Sequence, residues 1–166
     1  MDALRIALEE KIGKNLDFST HADMLEELFK LFHHSIRLIP SAHMEPLDEC
    51  NCVMYALGIR PNPSCSPLGR YYANTDYLTS LIENGYMTEL GKSMSDDALA
   101  IYFKAEKVQH IGISKLGRVT SKWGAGHIYD HAPLEVPLSF GDSVRYFGLI
   151  DAELAFDQFL RFNNHR

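Results

Sequence analysis

The chain has 166 residues, of which 46% are hydrophobic, and it carries a formal net charge of −6 at pH 7. This length is sufficient for one hydrophobic core, so we expect a single domain over 1–166. The acidic balance argues against a nucleic-acid partner or an anionic membrane surface, because both require a basic patch on the protein.

The first forty residues predict a helical extension that packs on the rest of the domain. Apolar residues recur at helical spacing from Asp2 to Ile12 and again from Met24 to Ile39, before Pro40. The pattern Thr20-His21-Ala22-Asp23 resembles a capping box for the second of these helices. Its apolar stripe is expected to face the core, and a protein partner bound through the Met24 to Ile39 helix is the alternative.

A cysteine stands directly before a short apolar run that ends at a glycine. The run from Cys52 to Leu57 predicts a helix that ends at Gly58. A thiol at a helix N-terminus faces unpaired backbone N–H groups and the positive end of the helix dipole, and both favour the thiolate. Cys52 is therefore a candidate nucleophile, and a buried core cysteine is the alternative.

Residues that typically begin or end helices and strands divide the rest of the chain into short elements. The proline-rich stretch from Pro61 to Arg70 predicts a loop, either a rim over the thiol or a connector. Asn74 predicts the start of a helix, and Ala98 to Lys104 predicts a buried central strand. A closing helix is expected from Asp151 to Phe162.

A predicted hairpin presents a histidine. Val108 to Ser114 alternates and is rich in β-branched residues, a turn signal follows at Leu116 and Gly117, and Val119 to Gly124 predicts the second strand. A cysteine nucleophile needs a base within hydrogen-bond reach, and His110 on the first strand is the candidate.

The register of this hairpin decides which polar residue accompanies the histidine. A two-residue turn pairs Ile113 with Thr120 and places Ser121 on the face of His110. A three-residue turn would shift the pairing by one residue and bring Lys122 to that face instead. We therefore expect Ser121 to orient the imidazole, with Lys122 as the alternative.

These motifs, taken in order, resemble a known superfamily. Asn51-Cys52 at a helix start, the strand His110-Ile111-Gly112-Ile113 and a further polar residue on the next strand resemble the NlpC-type branch of the papain-like cysteine peptidases and amidases. Together with Thr120-Ser121-Lys122-Trp123-Gly124 and His131, they are most similar to an uncharacterised bacterial group. The resemblance covers roughly 45–140. It implies an α+β fold in which N-terminal helices and a cysteine-bearing helix pack on an antiparallel sheet.

We therefore predict a cysteine hydrolase that cleaves an amide or ester bond through a thioester intermediate, with acyl transfer and deamidation left open. The predicted catalytic residues are Cys52, His110 and Ser121, with Lys122 or His131 as alternatives for the third. The residues expected to contact substrate are Asn51, Lys122, Trp123 and His131. The Asn51 side chain and the Cys52 N–H are the expected oxyanion donors. The substrate class is a peptide, a protein or a peptidoglycan-like amide, and no cofactor is expected.

Two other classes compete with the hydrolase. A non-catalytic binding or inhibitor protein would keep the fold and use the groove or the second helix to hold a partner. A zinc module would use Cys50, Cys52, His127 and His131, although structural zinc sites usually space a cysteine pair by two residues and here the gap is one. The lack of a signal-peptide pattern and the three cysteines predict a cytoplasmic protein, with delivery by a dedicated secretion system left open.

Overall fold

We describe the protein from a computed structural model, and the described residues are 2–12, 17–40, 50–59, 73–91, 93–123 and 126–164. Within them the chain forms five α-helices, seven strands and a 3₁₀ helix at Leu138–Phe140. The helices are α1 (Asp2–Ile12), α2 (Phe18–Phe32), α3 (Cys52–Leu57), α4 (Thr75–Glu83) and α5 (Ala152–Asn164). The strands are β1 (Arg37–Ile39), β2 (Glu89–Gly91), β3 (Ala98–Lys104), β4 (Lys107–Lys115), β5 (Arg118–Lys122), β6 (Ile128–His131) and β7 (Ser143–Gly148). The loop predicted from Pro61 to Arg70 lies outside the described residues.

The strands form one antiparallel sheet in the order β1-β6-β5-β4-β3-β7-β2. This confirms the predicted α+β class with an antiparallel sheet. Strand β3 lies between β4 and β7, and its residues from Ala98 to Phe103 are buried, as predicted for a central strand. None of the helices in the described ranges is both long and apolar enough to span a bilayer.

Helices cover both faces of the sheet, and each face has its own apolar cluster. On the first, which we call the α3 face, Leu99, Ile101 and Ile111 pack with residues of α3, α4 and α5. On the second, the α1 face, Ala100, Tyr102 and Tyr129 pack with residues of α1 and α2. The two clusters follow from the alternation of side chains along β3. Its odd-numbered residues point to the α3 face and its even-numbered residues point to the α1 face.

The hairpin of β4 and β5 has the predicted register. Leu116 and Gly117 form a two-residue turn with φ angles of 50° and 75°, the left-handed conformation at both positions that a type I′ turn requires. Lys115 then pairs with Arg118, and Ile113 pairs with Thr120. Because side chains alternate, Ser121 lies on the α1 face, as His110 does.

The second helix is shorter than predicted. It ends at Phe32 because His33 adopts the left-handed conformation, with φ 48° and ψ 47°, and its N–H donates to the carbonyl of Phe29. The chain then forms β1, which pairs with β6 at the edge of the sheet. The predicted helix from Met24 to Ile39 is therefore wrong beyond Phe32.

The same helix also starts earlier than predicted. Its N-cap is Asp17, whose carboxylate accepts a hydrogen bond from the amide of Thr20 at 2.9 Å, so the capping box predicted to begin at Thr20 is wrong. Its apolar residues Met24, Leu25 and Leu28 are buried in the α1-face cluster. Most of the apolar stripe that was proposed to bind a partner is therefore buried in the core.

Candidate active site

Helix α3 begins at the candidate nucleophile, and Asn51 fixes that start. The Oδ1 atom of Asn51 accepts hydrogen bonds from the amides of Val53 and Met54, both at 3.0 Å, which is the role of an N-cap. Its Nδ2 atom donates to the carbonyl of Ala73 at 2.7 Å. This bond uses one of the two N–H groups of Nδ2, and the predicted donation from Asn51 to an oxyanion would need the other and stays a prediction.

The Cys52 thiol is half-buried, and backbone N–H groups point toward it. The amides of Ile111, Val53 and Cys52 itself each lower the pKa of the thiol. Burial acts in the opposite direction and is the larger effect, so the pKa is raised to about 11. The thiol is therefore protonated near neutral pH, in contrast to the thiolate that the helix N-terminus predicted.

His110 projects from β4 onto the α1 face and is almost fully buried, with 1% of its surface exposed. Its ring stacks on Phe140, with a centroid distance of 3.9 Å and an interplanar angle of 23°. Burial holds the pKa of the imidazole well below its usual value, and His131 lowers it further. The ring is therefore neutral near pH 7 and has a lone pair that can accept a proton.

The sulfur and the imidazole approach the same strand from different sides. The β4–β5 ladder ends at the pair Ile113 and Thr120, and the Cys52 thiol lies at the amide of Ile111, beyond that end. This amide belongs to the peptide unit that joins His110 to Ile111. The structure therefore brings the sulfur to the backbone beside His110, but not to its ring, which faces away from α3.

Ser121 is hydrogen-bonded to a histidine other than the predicted one. The indole Nε1–H of Trp123 donates to Ser121 Oγ at 2.9 Å, and this hydroxyl lies 2.9 Å from Nε2 of His131. The other ring nitrogen of His131, Nδ1, lies 2.8 Å from the carbonyl of Ala132. Because a carbonyl only accepts, Nδ1 carries the proton and Nε2 accepts from Ser121.

His131 is consequently neutral and firmly held. Burial lowers its pKa to about 4, and the bond to Ala132 and nearby carboxylates only partly offset this effect. Trp123, predicted to contact substrate, is buried and stacks on Tyr129 at a centroid distance of 4.0 Å. The hydroxyl of Ser121 therefore orients His131 and not His110, and His131 lowers the pKa of His110 electrostatically.

Lys122 lies on the opposite face from this cluster. It follows Thr120 by two residues and so shares the α3 face with Ile113, and its Nζ donates to the carbonyl of Gly126. The side chain is buried. The two-residue turn thus excludes Lys122 as the partner of His110, and its predicted contact with substrate stays a prediction.

Comparison with protein-family models, with curated proteins and with solved structures found no match to this chain. Among the residues that the structure describes, no group of three or more His, Cys, Asp or Glu side chains is arranged to hold a metal ion. The zinc alternative built on Cys50, Cys52, His127 and His131 therefore gains no support from the geometry.

Two features of the site were not anticipated from the sequence. Phe140 reaches His110 from the 3₁₀ helix, which has no periodic signal. The bond between Ser121 and His131 depends on the pairing of β5 with β6, in which Ser121 is opposite Tyr129 and Val119 is opposite His131. The alternation of Thr120, Ser121 and Lys122 was the available signal, and it places Ser121 on the correct face without showing its partner.

Proposed function

We propose that this protein is a cysteine hydrolase of the papain-like, NlpC-type class, acting on an amide or ester bond in a peptide, protein or peptidoglycan-like substrate. Cys52 is the nucleophile and His110 is the base. The observation that carries the proposal is the position of the sulfur at the Ile111 amide, beside the peptide unit of His110. The order of motifs from Asn51 to His131 supports the same class.

The protonation states are those of a general-base route, in which neither group starts charged, and burial makes the thiol a weaker acid and the imidazole a weaker base than usual. As the sulfur attacks the carbonyl carbon, its proton passes to His110, and the C–S bond forms while the carbonyl oxygen takes up negative charge. The imidazolium then protonates the leaving amine or alcohol, and a thioester remains. A water molecule that His110 deprotonates attacks the thioester, which releases the acid and restores the thiol.

The donors around the sulfur suit this route. The N–H groups of Cys52 and Ile111 lower the pKa of the thiol, so they favour negative charge on the sulfur as its proton leaves. The reaction also requires the imidazole to approach the thiol. Cys52 lies on the α3 face and the His110 ring on the α1 face, so this approach requires the β4 backbone at His110 and Ile111 to move from its position in the sheet.

A nitrophenyl ester tests this proposal, because acylation of an active thiol releases one equivalent of nitrophenol before turnover. We expect a burst equal to the enzyme concentration and an acyl group on Cys52 in the intact mass spectrum. Cys52→Ala is expected to lose both signals. His110→Asn is expected to slow acylation by about two orders of magnitude, since general-base catalysis contributes at least this much.

Cys50→Ala is the matched control, because Cys50 is also partly buried and lies two positions from the nucleophile. It should keep the burst. An acyl group distributed over several cysteines, or a burst that persists in Cys52→Ala, would contradict the assignment.

Two observations favour a second candidate, a non-catalytic binding or inhibitor protein of the same fold. Burial raises the pKa of the Cys52 thiol to about 11, and the imidazole ring of His110 faces away from it. Under this alternative the ester produces no burst, while the wild-type protein and Cys52→Ala capture the same partner to the same extent.

A further inference from the structure

On the α1 face, Nε2 of His110 and Oη of Tyr102 are buried, and neither has a hydrogen-bond partner among the described residues. The two atoms are therefore not bonded to each other. The two residues are directly opposite each other in the β3–β4 pairing, with ring centroids 5.5 Å apart. Their exposed fractions are 1% and 0%, so bulk water does not satisfy either atom.

Leaving such atoms unpaired is costly, because each buried polar group without a partner destabilises the fold by about 1–3 kcal/mol. The other polar groups near His110 are already engaged. Trp123 donates to Ser121, Ser121 donates to His131, and His131 donates to the carbonyl of Ala132. The hydroxyl of Tyr102 lies on the same face and, like Nε2 of His110, has no partner among the described residues.

The plane of the imidazole is fixed by a separate contact. Phe140 stacks on the ring, and the segment that carries Phe140 is held by Arg5 of α1, which donates to the carbonyls of Val136 and Gly141. With the ring plane set in this way, a contact at Nε2 determines which ring nitrogen carries the proton.

We propose that Tyr102 is the positioning residue for His110: one bridging water accepts the Nε2–H of the imidazole and donates to the Tyr102 hydroxyl. This contact holds the neutral ring in the tautomer whose Nδ1 has the lone pair that can accept a proton. That Nδ1 takes the proton of Cys52 rests on the proposed function, whereas the contact with Tyr102 does not. Ser121, which the sequence predicted for this role, is hydrogen-bonded to His131 instead.

Nitrogen-15 NMR of the histidine side chains tests the contact without any substrate. The chain has eight histidines, so the His110 signal is assigned by its absence from His110→Asn. In the wild-type protein we expect the Nε2–H tautomer of His110. Tyr102→Phe removes only the hydroxyl, and the His110 signal is expected to move toward a mixture of the two tautomers.

Tyr146→Phe is the matched control, because Tyr146 is buried in the same cluster and perturbs Tyr102 electrostatically. It should leave the His110 tautomer unchanged. If hydrolysis is observed, Tyr102→Phe is expected to lower kcat by about tenfold with KM unchanged, the effect of losing one positioning hydrogen bond.

The proposal is overturned if wild-type His110 is the Nδ1–H tautomer, a result that needs no variant. It is also overturned if Tyr102→Phe leaves the tautomer as in the wild type. A wild-type protein that fails to hydrolyse any ester, yet shows the expected tautomer and its loss in Tyr102→Phe, contradicts the proposed function and supports this contact.

Discussion

At the scale of single residues, burial decides the chemistry of the site. A cysteine at a helix N-terminus is expected to be acidic, because amide groups and the helix dipole favour the thiolate. In Cys52 the loss of solvation exceeds these effects and raises the pKa to about 11. His110 and His131 are neutral for the same reason, since burial lowers the pKa of both imidazoles.

The alkylation of Cys52 should therefore depend steeply on pH. Only the thiolate reacts with iodoacetamide, so its rate is expected to rise about tenfold per pH unit until the pH approaches the pKa of about 11. Peptide mapping by mass spectrometry gives the rate for each cysteine, and the unfolded chain supplies the reference. A Cys52 rate that reaches its plateau near neutral pH would show that the thiol is ionised and the reasoning wrong.

The buried histidines should make the fold sensitive to acid. The unfolded chain binds a proton at His131 below its ordinary pKa of 6.5, whereas the folded chain binds it only near pH 4. Stability is therefore full above 6.5 and is lost as the pH falls, by about 3 kcal/mol for this residue. Urea titrations at several pH values measure the loss, and His131→Gln should make the dependence shallower.

His33→Gln provides the comparison, because His33 is exposed. Its pH dependence of unfolding should match that of the wild type. A stability that stays constant from neutral pH down to the ordinary histidine pKa and well below it would contradict the burial argument.

At the scale of elements, local signals predicted the helices and strands that carry the site. The apolar run from Cys52 to Leu57 with Gly58 after it, and the turn at Leu116 and Gly117, are short-range patterns that the structure confirms. The end of α2 was missed because the apolar residues Ile36 and Ile39 continue the helical spacing by coincidence. They belong to a half-buried edge segment, and no glycine marks the left-handed residue that precedes it.

Gly112 packs tightly against β5, which leaves no room for a side chain at this position. A Cβ atom there would lie 2.6 Å from Cγ1 of Val119 and 2.9 Å from the carbonyl oxygen of Thr120. Gly112→Ala is therefore expected to lower the free energy of unfolding by about 1–3 kcal/mol, measured by chemical denaturation.

Gly148→Ala is the matched strand control, because its nearest neighbour would be 3.9 Å away and its φ is not positive. It should change stability by less than about 0.5 kcal/mol. Equal effects of the two substitutions would mean that close packing at Gly112 is not what the strand pair requires.

At the scale of the whole molecule, the site combines elements from distant parts of the chain. Cys52 comes from the α3 face, and His110, Ser121 and His131 come from strands that project onto the α1 face. The sequence predicted the face of Ser121 correctly because strand alternation is local, and the roles of these residues stay predictions. The bond between Ser121 and His131, the stack of Phe140 and the burial of the thiol depend on non-local packing, which periodicity does not encode.

The proposed reaction requires the Cys52 thiol and the His110 imidazole to meet. Dibromoacetone, which first alkylates a thiol and then a nearby imidazole, measures this meeting directly when its products are mapped by mass spectrometry. We expect a cross-link between Cys52 and His110 in the wild-type protein and a single adduct on Cys52 in His110→Asn. A wild-type product that carries only the single adduct, or a cross-link from Cys52 to another residue, would contradict the account.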